Sequence, residues 1–62
     1  MSKSEIEMWR LNIENSAATV CNQYGQDVAC SVFNRYDAHN IDDLSPIYYS
    51  DVFGELEQIL ND

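Results

Sequence analysis

Two cysteines (Cys21 and Cys30), one histidine (His39) and eleven carboxylates are the side chains through which this chain could do chemistry. A structural zinc site takes four Cys or His ligands, so these three cannot close one within a single chain. The cysteines also lack the CxxC spacing of a redox motif. A Cys–His nucleophile pair requires the histidine to reach the thiol inside a pocket, with a third group orienting it. No such group is evident, and His39 between Ala38 and Asn40 reads as an exposed loop residue. Asp42-Asp43 lacks the D-x-D-x-D-G run and the twelfth-position Glu of a calcium loop, and there is no glycine-rich phosphate loop. Carboxylates become acid–base catalysts only in a desolvated cleft, so their abundance is not a signature. The expectation is a non-enzyme without metal or cofactor, its two cysteines free thiols in a cytoplasmic chain.

Charge is the more informative property. The net value is −8, from eleven acids against Lys3, Arg10 and Arg35. Residues 1–36 hold four acids and three bases, a net of −1, whereas residues 37–62 hold seven acids and no Lys or Arg, a net of −7 with His39 neutral. A one-signed field repels nucleic acid and acidic membranes and attracts basic surfaces. No apolar run approaches the ~18–20 residues of a membrane span, and no signal peptide is apparent.

A row of acids can do more than keep a small protein soluble. Asp51, Glu55 and Asp62 fall within about 40° on a helical wheel, the first two about 6 Å apart along the axis. Asp42 and Asp43 extend this row past the helix start, where the helix dipole favours negative charge. Phosphates rise about 3.4 Å apart along a DNA strand, so carboxylates one helical turn apart approximate every second phosphate. Such a row could occupy the Lys/Arg groove of a nucleic-acid enzyme. Tyr48, beside the acids at the edge of its apolar stripe, is the candidate anchor.

The helix bearing this row is the clearest element of the chain. Ser45 is placed to cap it and Pro46 to occupy its first position. Tyr49, Val52, Phe53, Leu56, Ile59 and Leu60 then form one stripe of period 3.6. Gly54 falls on the outer side near Ile47 and costs roughly 1 kcal/mol relative to Ala. Either it is tolerated there, or something packs closely on the backbone and joins Ile47 and Gly54 into a contact surface. Upstream, Ser4 and Glu7 have capping-box spacing, and Ile6, Trp9, Ile13, Ala17, Val20 and Tyr24 give a first helix over about 5–23, stopped by Gly25. Met8 and Leu11 lie off that stripe, about 60° apart, as surface hydrophobes or as a contact patch for a second subunit or partner. A second helix runs over about 26–36, with Val28, Val32, Phe33 and Tyr36 as its apolar side, separated from the first by a break at Gly25. Tyr24, Tyr36 and Tyr49 fall on apolar stripes and are expected in the core with their hydroxyls at its rim. DAHNIDDL, Asp37 to Leu44, reads as a loop pinned to the core by Ile41 and Leu44. No stretch alternates as a strand does. The predicted fold is all-α: one compact three-helix domain over residues 1–62. A chain this short buries only about 60% of its unfolded surface, so a partner or a second copy could supply further burial.

Tyr24-Gly25, Asp43-Leu44-Ser45-Pro46, Tyr48-Tyr49 and Val52-Phe53 followed by Glu55-Leu56 form a recognisable set. With them the stretch from Tyr24 to Ile59 resembles small acidic helical modules in proteins of conjugative elements and phages of Gram-positive gut bacteria. The resemblance spans a little over half the chain, leaves out residues 1–23, and carries over no catalytic residue. It implies a mobile-element setting, in which small acidic proteins block host defence nucleases. The functional expectation is therefore a cytoplasmic, non-enzymatic inhibitor, anti-CRISPR-like. It binds a protein with a basic surface, a nucleic-acid-binding enzyme, through Asp42, Asp43, Tyr48, Asp51, Glu55 and Asp62, without touching nucleic acid or membrane itself. The alternative is an interaction or regulatory module that binds through Met8 and Leu11 or through Ile47 and Gly54, with a homodimer as the third reading.

Overall fold

A computed structural model describes all residues, 1–62, and has no strand. Its three α-helices are α1 (Lys3–Tyr24), α2 (Gln26–Asn34) and α3 (Tyr49–Asn61), with 3₁₀ turns at Ile41–Asp43 and Pro46–Tyr48. The three-helix architecture expected from periodicity is the one observed. At about 1.5 Å per residue the 22-residue α1 is about 33 Å long, which matches the longest dimension of the molecule, 32 Å of 32 × 21 × 14 Å. It is the platform on which both other helices pack, α2 and α3 meeting along a shorter seam.

Ten buried apolar residues form the core: Ile13 and Val20 of α1, Ala29, Val32 and Phe33 of α2, Ala38 and Leu44 of the connection, and Tyr49, Val52 and Leu56 of α3. Full burial of a Val, Leu or Ile side chain contributes about 1.5–3 kcal/mol, so these positions carry most of the fold's driving force. Leu44 is pinned under the connection as expected, with Ile41 half-buried beside it. Tyr24 departs from expectation at 48% exposed. As the last residue of α1, at the corner where the chain reverses, it lies outside the side chains packed on the core.

The helix ends are settled by local hydrogen bonds. The first cap is Ser2, not Ser4: its Oγ accepts from the Glu5 backbone N–H at 3.3 Å and donates to the Glu5 carboxylate at 3.1 Å. The pair Ser2/Glu5 has the same spacing as Ser4/Glu7 and starts the helix two residues earlier. Gly25 both ends α1 and begins α2. Its N–H returns to the Cys21 carbonyl at 2.9 Å, its carbonyl accepts from Val28 N–H at 3.2 Å, and its φ of 101° and ψ of 156° suit glycine alone. The expected break is therefore real. At the far end of α2 the Asp37 N–H bonds the Asn34 carbonyl and the Ala38 N–H bonds the Phe33 carbonyl. With Asp37 left-handed at φ 59°, this is a Schellman closure whose apolar contact is the buried Ala38.

α3 also begins differently from expectation. Ser45 makes no side-chain cap; its carbonyl accepts from Tyr48 N–H at 3.0 Å, closing a 3₁₀ turn that has Pro46 at its start. The α-helix then starts at Tyr49, three residues after Pro46. A 3₁₀ turn closes through the backbone alone and leaves the serine hydroxyl unneeded. Gly54 sits in the open: a methyl group added there meets nothing within 4 Å.

Gly54→Ala should therefore raise stability by about 0.5–1 kcal/mol, the usual gain for an unhindered helix interior. Gly25→Ala should lower it by about 1–3 kcal/mol, because alanine cannot adopt that backbone without strain. Urea unfolding followed by circular dichroism measures both. A Gly54→Ala chain less stable than the wild type would contradict an open outer face.

Candidate interaction surface

Both arginines clamp one element to another. Arg10 reaches from α1 to Asp42 in the first 3₁₀ turn, 2.6 Å from nitrogen to carboxylate oxygen. That hydrogen bond raises the Arg10 pKa above its already high ordinary value, against a smaller opposing effect of desolvation. Arg35, just past α2, pairs with Glu55 of α3, whose other carboxylate oxygen accepts from the Tyr36 hydroxyl. The hydrogen bond to Glu55, reinforced by desolvation and by the nearby charge of Asp51, pushes the Tyr36 pKa up to about 12. The Tyr36 ring in turn lies against Tyr48, centroids 5.1 Å apart and planes at 42°.

Asp43 is occupied by its own loop. Its carboxylate accepts from the backbone N–H groups of His39 (3.0 Å) and Asn40 (3.1 Å) and lies 2.9 Å from His39 Nδ1. The Asn40 side chain in return accepts from the Asp42 N–H at 2.8 Å, completing a capping box around the 3₁₀ turn. The His39 contact, followed by the Asn40 backbone bond, lowers the Asp43 pKa to about 2. His39 itself is exposed.

The six acidic-face candidates thus divide. Glu55 and Tyr48 are brought together through Tyr36, with Asp51 close by. Asp42 is turned toward α1, and Asp43 toward the loop backbone. Asp51 and Asp62 are exposed, with no hydrogen-bond or ion-pair partner for their carboxylates. Seven acids lie in residues 37–62, and Arg10 and Arg35 neutralise Asp42 and Glu55. Five therefore keep an uncompensated charge wherever His39 is neutral: Asp37, Asp43, Asp51, Glu57 and Asp62. Glu57 was absent from the expected row. It accepts at 3.0 Å from the hydroxyl of Ser16, which is only 8% exposed. The spacing of Ser16 from Ile13 and Val20, three and four residues, marks it as lying on the buried side of α1.

The apolar candidates divide as well. Met8 is 63% exposed and lines a groove of about 320 Å³ with Glu5, Trp9, Asn12 and Phe53. Trp9 and Phe53, both in its lining, meet edge-to-face, centroids 5.8 Å apart and planes at 71°. Leu11 is exposed but outside this lining, and Ile47 is the most exposed large hydrophobic, at 74%. Cys21 and Cys30 are free and half-buried. No group of three or more His, Cys, Asp or Glu is placed to hold a metal ion, and no helix is long and apolar enough to cross a membrane. Comparison with known proteins finds no matching family model, no matching curated protein and no matching solved structure.

The two titratable contacts predict a stability profile with two limbs. Asp43 holds its proton more weakly when folded, so its contribution is complete above its ordinary value of 3.8 and is lost as pH falls toward 2. Tyr36 holds its proton more tightly when folded, so its contribution is complete below 10 and is lost as pH rises toward 12. Thermal unfolding across pH should show both limbs. Asp43→Asn should flatten the acid one and Tyr36→Phe the alkaline one; a limb unchanged in its variant would refute the assignment.

Proposed function

We propose that this protein is a non-enzymatic inhibitor of a phage or mobile element that blocks a host nucleic-acid-binding defence protein, anti-CRISPR-like, by covering its basic groove. The observation that carries this reading is the set of five carboxylates in residues 37–62 without an Arg or Lys partner. A one-signed excess of charge in this half of the chain steers association with a basic surface.

Asp51 and Asp62 are the contact acids, exposed and free to meet Lys or Arg. Asp43 adds a charge that persists to about pH 2. Asp42 and Glu55 serve mainly to hold the surface together through Arg10 and Arg35. Tyr48, fixed against Tyr36, supplies a rigid aromatic edge beside them. Pre-positioned side chains lose less entropy on binding, which favours affinity. The mechanism is steric and electrostatic exclusion of the guide or target strand, with no bond made or broken.

Cleavage assays with purified RNA-guided nucleases of Gram-positive hosts test this directly. Inhibition should weaken as salt rises to ~0.3 M, because exposed charges are screened. Asp51→Asn combined with Asp62→Asn should weaken it about 2- to 30-fold, at ~0.2–1 kcal/mol per exposed pair, chiefly in the association rate. Inhibition indifferent to both salt and these substitutions would sink the reading.

A further inference from the structure

The groove between α1 and α3 is a second surface, apart from the contact acids Asp51 and Asp62. Phe53 projects about 160° from Asp51 and Glu55 around the α3 axis, so the groove lies on the flank away from those two acids, while Glu57, four residues on from Phe53, shares its side. Its lining joins an aromatic pair, Trp9 and Phe53, to the exposed and flexible Met8, a combination suited to accepting an apolar side chain of variable shape. Its volume of about 320 Å³ is at the lower end of ligand pockets, matching one large side chain better than an extended ligand.

Charge selects the occupant. Glu5 is the only charged residue of the lining, and no Lys or Arg contributes to it. Arg10 is held by Asp42. A second copy of this chain would bring another net charge of −8 against the first, and like-charge repulsion opposes that pairing. We infer that the groove docks one large apolar side chain of a basic amphipathic helix on a partner protein. Lys or Arg residues flanking that side chain meet Glu5, and the Asn12 amide is available to a polar group at the rim.

Trp9, the only tryptophan in the chain, is a built-in reporter. Its emission should shift to the blue, saturably, as a synthetic Leu/Lys amphipathic helix of about four turns is added. Met8→Ser, at an exposed position that leaves the core intact, should weaken this binding about tenfold, and Glu5→Gln should weaken it several-fold. An Ala/Lys helix of equal charge should bind at least about tenfold more weakly than the Leu/Lys helix. Equal binding of the Ala/Lys helix, binding unaffected by Met8→Ser, or no response of Trp9 would overturn the inference. So would a dimer by sedimentation that Met8→Ser dissociates, since the groove would then belong to a second copy. Asp51→Asn with Asp62→Asn leaves the groove intact, so failure here is separable from failure of the inhibitory surface.

Discussion

The structure depends on α1 having one buried side that must serve two neighbours. With ten buried apolar residues in all, neither α2 nor α3 has enough apolar surface to stabilise itself without α1. Ile13 and Val20 are fully buried, as are Val52, Leu56 and Tyr49 of α3 in the same core. Between those two α1 residues lies Ser16, whose hydroxyl is satisfied by Glu57 of α3. A buried hydroxyl without a partner would cost about 1–3 kcal/mol, so this bond favours the register of α1 on α3 that the structure has.

The same economy governs charge. In a chain with three basic residues, each of the two arginines joins segments distant in sequence. Arg10 ties the 3₁₀ connection to α1, and Arg35 ties the end of α2 to α3. Exposed ion pairs are worth little individually, but each of these joins two elements across the fold. Using the arginines this way places them beside Asp42 and Glu55 and leaves the other acids of residues 37–62 uncompensated. The acidity of the surface is therefore partly a consequence of how the fold is closed, and its asymmetry is built in rather than incidental.

Periodicity made the helices and most of the core legible, because the buried side of a helix repeats every 3.6 residues whatever it packs against. Ile13, Val20, Val32, Tyr49, Val52 and Leu56 follow that logic. Tyr24 fits the same stripe and is exposed, since period tells which way a side chain faces and not whether another element reaches it. Ser45 and Pro46 mark the right place for a start, but the backbone closed a 3₁₀ turn there without the serine hydroxyl. The acidic row was the least legible. A helical wheel treats one helix at a time, whereas Glu55 meets Arg35 at a separation of 20 residues and Asp42 meets Arg10 at 32. Ser16 and Glu57, 41 residues apart, had only the weak signal of a polar residue at a buried spacing.

As proposed, the acidic flank of α3 and the groove make different contributions to binding. Exposed charge accelerates encounter and filters partners by sign, yet adds little to residence time once salt screens it. An apolar side chain seated on Trp9, Phe53 and Met8 acts on dissociation, where most differences in affinity arise. A protein of 62 residues has too little surface for a broad interface of the ~800 Å² per partner typical of stable complexes without committing much of one side to it. On the proposed readings, dividing the task between a charged flank of α3 and an apolar groove lined mainly by α1 lets a small domain gain rate from one and persistence from the other. On this view the Ser16–Glu57 bond, which ties α3 to α1 at 3.0 Å, helps hold Phe53 beside the α1 residues of the groove.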